Sequence, residues 1–187
     1  MTGTAISRTE RQVIPRREHP VLEKPAVAHG AEIHDLVSRC RPLDLNSRYA
    51  YLLLCAHFRD TCVRAESRGE TVGFVSAYNP PGREDVIFVW QVAVAASMRG
   101  QGLAKAMLRE LLGRDRTGKW RFLETTVSPS NTASLRLFHS LAHDLGAPVT
   151  ESTLFCAAEF GAEEHEKEDL IRIGPIPYQL QRGETQR

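Results

Sequence analysis

A run of strand character, a basic glycine turn and an amphipathic helix follow one another between Val86 and Gly113. The first part, Val86-Ile-Phe-Val-Trp-Gln-Val-Ala-Val94, is rich in β-branched and aromatic residues and reads as a buried strand. The last part carries Ala104, Met107, Leu108 and Leu111 at i, i+3, i+4 and i+7, the apolar stripe of a helix packed on a core. Between them lies Arg99-Gly100-Gln101-Gly102-Leu103-Ala104. Glycines let backbone approach a ligand closely, and the free N–H groups of a helix N-terminus point at an anion. Arg99 adds a cation at the rim. The combination is a cradle for a pyrophosphate.

Two common phosphate loops do not fit. The dinucleotide fingerprint needs a third glycine, and Gly100 and Gly102 have none in register. The P-loop needs Lys-Ser/Thr after its last glycine, where this chain has Leu103-Ala104. The stretch resembles instead the acetyl-CoA-binding motif of the GNAT N-acetyltransferase superfamily, Gln/Arg-x-x-Gly-x-Gly/Ala, met by Arg99, Gly102 and Ala104. A plain glycine turn between strand and helix is the alternative reading.

At 187 residues the chain suits one domain with a substantial core, expected over 19–176. Residues 1–18 and 177–187 read as polar, disordered tails. A net charge of +1 offers no electrostatic reason for nucleic acid or an acidic membrane as partner. No apolar run approaches the ~18 residues of a membrane span, and the first residues lack the apolar stretch of a secretory signal. A cytoplasmic protein is expected. Cys40, Cys55, Cys62 and Cys156 have no metal-ligand spacing, so buried free thiols and no metal are expected.

The remaining elements follow from periodicity and breakers. A strand is predicted at 21–24 and a helix at 31–40, with Ile33, Leu36 and Val37 on one face. After a Pro42–Ser47 break, a second helix is predicted at 49–58 with Leu52, Leu53 and Ala56 inward. Strands at 61–67 and 71–78 form a hairpin around Arg68-Gly69-Glu70. After the 86–94 strand and its helix come a strand at 121–127 and a helix to about residue 143, with Leu135, Phe138, Leu141 and Leu145 inward. Strands at 152–157 and 170–173 close the chain. The order β-α-α-β-β-β-α-β-α-β-β is that of the GNAT fold, an α/β (α+β) architecture with a mixed central β-sheet flanked by helices. The resemblance therefore covers almost the whole chain.

That resemblance implies specific roles. Val92, Ala93 and Val94 supply backbone groups to the pantetheine of acetyl-CoA, and the amide of Val92 or Ala93 polarises the thioester carbonyl. Arg99 to Ala104, with Gly100, Gln101, Gly102 and Leu103, hold the pyrophosphate. Asn131 contacts the cofactor, caps the next helix, or does both. The family commonly has a tyrosine seven residues after that asparagine to protonate the departing thiolate. Here Phe138 stands there, with Ser134, His139 or water as substitutes, or with the thiolate leaving unassisted.

Longer segments narrow the resemblance. Pro42 to Cys55, Asp85 to Val94, Leu123 to Asn131 and the late stretch from Phe160 to Pro175 are similar to the L-2,4-diaminobutyrate acetyltransferase family of ectoine biosynthesis. That family acetylates the 4-amino group. A small diamino acid carries two ammonium groups and a carboxylate, so selectivity needs acidic side chains for the 2-ammonium and Arg or hydroxyl groups for the carboxylate. Candidates are Asp44 and Arg48 around the second helix, Trp90 on the cofactor strand, and Thr125 and Thr126 beside Glu124. His165 and Glu166 come from the late stretch. Each has a plainer reading: Asp44 as a helix cap, Arg48 as a surface charge, Trp90 as core, and His165 and Glu166 as part of the solvated run 163–169.

Glu124 is harder to explain away, since a carboxylate inside a strand is costly unless used or paired. It is the first candidate for the base that deprotonates the amine, directly or through a water, with burial raising its pKa. Direct transfer in a ternary complex is expected, since no cysteine stands in an activating motif. A homodimer is compatible with the sequence. The rivals are a GNAT enzyme acting on a polyamine, an amino-sugar or a protein N-terminus, and a noncatalytic acyl-CoA-binding module.

Overall fold

The computed structural model describes residues 19–161 and 165–177. The expected N-terminal tail, and the C-terminal tail beyond residue 177, lie outside the described residues. Seven strands form one sheet: β1 (Val21–Glu23), β2 (Val63–Ser67), β3 (Glu70–Tyr78), β4 (Val86–Val94), β5 (Phe122–Val127), β6 (Val149–Phe155) and β7 (Glu168–Ile173). Among the described residues, four α-helices accompany them: α1 (Gly30–Ser38), α2 (Arg48–His57), α3 (Leu103–Gly113) and α4 (Thr132–Asp144). The chain order is the expected one. In space the strands run β1-β2-β3-β4-β5-β7-β6. Every neighbouring pair is antiparallel except β4 and β5, which are parallel and joined through α3.

The β2–β3 hairpin turns where the glycine predicts. Ser67 pairs with Glu70, leaving Arg68 (φ 55°) and Gly69 (φ 81°) as the two central residues. Two positive φ values make the turn whose twist matches a right-twisted hairpin, and Gly69 adopts its value without steric cost.

The two sheet faces have separate cores. Leu103, Met107, Leu108 and Leu111 of α3, with Phe138 and Leu141 of α4, pack on Val75, Val89, Leu123 and Ile171. On the other face, Ile33, Leu36 and Val37 of α1 and Tyr51, Leu54 and Cys55 of α2 pack on Phe74 and Ala93. The inward face of α2 therefore differs from the prediction. Tyr51, Leu54 and Cys55 are buried, whereas Leu52 and Ala56 are exposed and Leu53 is half-buried. Tyr-Leu-Leu-Leu-Cys-Ala is apolar nearly all round, so period alone selects no face. Tyr51 is drawn inward because its hydroxyl finds a partner on β4.

Two irregularities mark β4. Ser76 pairs with Gln91 but Ala77 pairs with Val89, so Trp90 is an extra residue in a β-bulge. The parallel β4–β5 pairing runs from Val86–Phe122 to Val89–Thr125 and stops there. Beyond the bulge the strands part, and the β5-side edge of β4 over Trp90–Val94 has no strand against it.

Candidate active site

The parting of β4 and β5 opens into a cleft of about 560 Å³. Val92 and Val94 line one wall, and the first residues of α3 line its base. Asn131, Ser134 and Leu137 of the α4 segment line another side, and Cys40 to Leu43 form the lip. Gly100 (φ 71°) and Gly102 (φ 80°) both adopt the left-handed conformation, which turns the chain sharply from β4 into α3. Gly102 is the N-cap of α3, and its carbonyl accepts the first helical hydrogen bond, from Ala106 N. A Cβ built on Gly102 meets no atom within 4 Å. The space in front of it is open, and the unpaired amides of the helix's first turn face outward there. Both features suit a diphosphate.

Arg99 folds back on the strand, its Nε donating to the Val94 carbonyl at 3.2 Å. Asn131 lines the cleft and also caps α4, accepting from Ser134 N at 3.2 Å. Gln101 bonds the Ser97 carbonyl at 2.8 Å, bracing the turn. Phe138, at the position where a tyrosine is usual, is 2 % exposed and packs in the core. Of the two side chains expected near it, Ser134 lines the cleft. His139 pairs with Glu151 of β6 at 2.9 Å.

Across the sheet from α3 and α4 lies a face that carries a buried charge cluster. Leu123 and Val127 join the α3/α4 core, so Glu124 and Thr126 project from the opposite face. Glu124 is 2 % exposed and receives Arg83 Nη2 from the β3–β4 loop at 2.5 Å and Arg172 Nη1 from β7. Both guanidinium groups bond the same oxygen, Oε1; Oε2 makes no hydrogen bond to a described residue. Arg172 is itself held over the Phe122 ring, 3.7 Å from its centroid. Trp90 is half-exposed on the bulge and belongs to neither core.

A buried relay fixes the loop before α2. Gln91 Nε2 donates to the Asp44 carbonyl at 2.8 Å, and Tyr51 donates its hydroxyl to Gln91 Oε1 at 3.2 Å. The Asp44 side chain is left exposed, 3.9 Å from His165 Nε2. His165 stacks on Phe160 with ring centroids 3.9 Å apart, and Glu166 accepts from Ser130 N at 3.1 Å. The loop before β7 is thereby fastened to the β5–α4 loop on one side and reaches Asp44 on the other.

Three readings are revised by this geometry. Arg48 pairs with Asp35 of α1 at 2.8 Å on an exposed surface, and Ser47, not Asp44, caps α2. Thr125 is buried and registers with Val89 and Ile171, both in the α3/α4 core, so it faces away from Glu124 and Thr126.

Residues 30–142 match the family model of the acetyltransferase (GNAT) family. This chain belongs to the GNAT acetyltransferase family. Its relatives include L-2,4-diaminobutyric acid acetyltransferases from Bordetella parapertussis, 53% identical over 84% of this chain and 85% of that one, and from Marinococcus halophilus, 46% identical over 83% and 90%. It is similar to the solved diaminobutyrate acetyltransferase of Paenibacillus lautus in complex with its substrate L-2,4-diaminobutyric acid and coenzyme A. That likeness has a TM-score of 0.80 and 45% identity, covering 83% of this chain and 95% of the other.

In this GNAT acetyltransferase, Arg83, Arg172, Gln91 and Tyr51 were not singled out from sequence. Gln91, a polar residue in an otherwise apolar strand, carried a usable signal, since such a residue must find a buried partner. His165 yields a testable consequence. The Glu166 carbonyl first, and then the Asp44 and Glu168 carboxylates, hold its imidazole above the ordinary histidine pKa, against an opposing effect of burial. Its stabilising contribution is full below the ordinary value of about 6.5 and is lost as pH rises through the raised one. An NMR titration is expected to show a raised His165 midpoint that falls in Asp44→Ala; an unmoved midpoint would mean that Asp44 does not act across the gap.

Proposed function

We propose that this acetyltransferase moves the acetyl group of acetyl-CoA onto the 4-amino group of L-2,4-diaminobutyrate. The product is N-4-acetyl-L-2,4-diaminobutyrate, and the step belongs to ectoine biosynthesis. What carries the reading is the parting of β4 and β5 beside a buried carboxylate, in a chain 45% identical to an enzyme solved with that diamino acid and coenzyme A. A noncatalytic acyl-CoA-binding module would have no use for the Glu124 arrangement.

Acetyl-CoA supplies an activated acyl group as a thioester. The α3 turn, with Gly100, Gly102 and the amides of Leu103 and Ala104, holds its diphosphate, and Asn131 supports it from α4. The free β4 edge at Val92 to Val94 takes the pantetheine arm. An amide of Val92 or Ala93 donates to the thioester oxygen as negative charge develops there. The acceptor enters from the opposite side, walled by Trp90 and Thr126 and flanked by Asp44, His165 and Glu166. Glu124 is assigned to an ammonium group of the acceptor through Oε2. The reacting 4-ammonium gives its proton to solvent before it attacks, and the C–S bond of the thioester breaks as the C–N bond forms. Ser134 is the side chain placed to meet the leaving thiolate. Transfer is direct in this reading: burial pushes the Cys55 thiol up to about 11 and the Cys62 thiol up to about 12, and the thiol of Cys40, on the cleft lip, is turned toward the Val94 carbonyl, to which it donates at 3.4 Å.

We further propose a single catalytic domain over 19–176 that works in the cytoplasm, and a homodimer through β6. That strand is the outer edge of the sheet and exposes Leu154 and Phe155. Among the described residues, no helix is long and apolar enough to cross a membrane. The deciding experiment is mass spectrometry of the product formed from acetyl-CoA with diaminobutyrate, ornithine, putrescine and a test peptide. A 4-acetylated diaminobutyrate formed faster than any other product is expected; preference for putrescine or the peptide would overturn the assignment.

A further inference from the structure

We propose that Arg83 selects the acceptor by gripping a carboxylate carried beside an ammonium group. The inference rests on the proposed binding of diaminobutyrate on the Glu124 face of the sheet, and it concerns Arg83 of the β3–β4 loop, described above only as a partner of Glu124. Arg83 reaches across 41 residues of chain to Glu124, yet it gives that carboxylate only Nη2. A guanidinium has five N–H donors, and the others on Arg83 bond no described residue. Its side chain is 44% exposed, against 2% for Glu124.

Arg172 differs in this respect. It bonds the same Oε1 from a sheet strand and is clamped over Phe122, so it works as a fixed support. The result is a pair of opposite charge: Oε2 of Glu124, with no hydrogen-bond partner among the described residues, and beside it the unused edge of Arg83. An amino acid presents an ammonium and a carboxylate on one carbon, and this pair is their complement. Glu124 registers with Phe88, two residues before the bulge where β4 and β5 part. Holding the amino-acid head there leaves the remaining arm, with its 4-amino group, to reach toward the free edge of β4. A diamine without the carboxylate meets Glu124 but not Arg83.

The test compares two acceptors that differ by that one group, L-2,4-diaminobutyrate and 1,3-diaminopropane. In Arg83→Met, kcat/KM for diaminobutyrate is expected to fall about 10–100-fold, the usual effect of losing a charged hydrogen bond. The value for 1,3-diaminopropane is expected to stay within about threefold, with KM for acetyl-CoA unchanged. Arg83→Lys should recover part of the loss, because it keeps the charge and loses the planar fork. Equal losses on both acceptors would mean that Arg83 acts only by holding Glu124, and no loss on either would remove it from recognition; each overturns the proposal. Should Arg83→Met fail to fold, the native enzyme and Arg83→Lys decide it. A native preference for diaminobutyrate that Arg83→Lys leaves unchanged would be fatal. Native protein inert toward diaminobutyrate would instead sink the assigned function, a result distinct from any of these.

Discussion

Gly102→Val is expected to abolish acetyl-CoA binding in a protein that still folds. Two effects act at this position and can be separated. The backbone is left-handed, with φ of 80°, where a side chain costs roughly 1–2 kcal/mol and a β-branched one more. The new side chain meets no protein atom within 4 Å at its Cβ, so the fold has room for it. The room it takes is the space in front of the α3 amides. Isothermal titration with acetyl-CoA should show affinity reduced at least about 100-fold, since backbone amides can no longer reach the diphosphate. Gly69→Val is the control. Its φ is 81° and its Cβ position is equally open, but it lies in the β2–β3 hairpin. It should lose stability by a similar amount and keep its affinity. Undiminished binding in folded Gly102→Val would detach this turn from the cofactor.

Glu124→Gln should lower kcat/KM for diaminobutyrate by about 100-fold or more, because an ammonium loses a buried charged partner. The substitution is nearly isosteric, and KM for acetyl-CoA is expected to hold. Some stability is lost as well, since Arg83 and Arg172 lose their shared counter-charge; their partial exposure keeps that loss below the ~3–5 kcal/mol of a fully buried pair. The pH profile distinguishes two roles. An anchoring carboxylate predicts no recovery at high pH, together with a mixture of 2- and 4-acetylated products, because the head of the substrate is no longer oriented. A proton acceptor predicts recovery as pH rises and delivers amine already deprotonated, with the 4-acetyl product alone. The second outcome would return Glu124 to the role of base.

Features that depend on contiguous residues were legible in the sequence. The β2–β3 turn follows from Arg68-Gly69 between two strand patterns, and the α3 cradle from glycines set between a β-branched run and a 3.6-period stripe. Chain order and the membership of the α3/α4 core follow from the same periodicities, since each strand or helix pattern is written in its own ten or so residues. Glu124 could be picked out because a charge inside a strand is conspicuous wherever the strand lies.

Its partners could not. Arg83 and Arg172 stand 41 and 48 residues away, and nothing local marks either as the guanidinium that a distant carboxylate will receive. Strand pairing decided the rest. The bulge at Trp90 exists only relative to Ser76 and Ala77 of β3, and the parting of β4 from β5 only relative to where their register ends. The same pairing turned Thr125 toward the core and Thr126 toward the acceptor. On α2, an almost uniformly apolar surface left the inward face to be chosen by one hydrogen bond, from Tyr51 to Gln91. A sequence therefore determined the elements and the anion cradle, whose physics is short-range. The proposed acceptor site is made of charges and hydrogen bonds between segments far apart in the chain, and only the packed sheet brings them together.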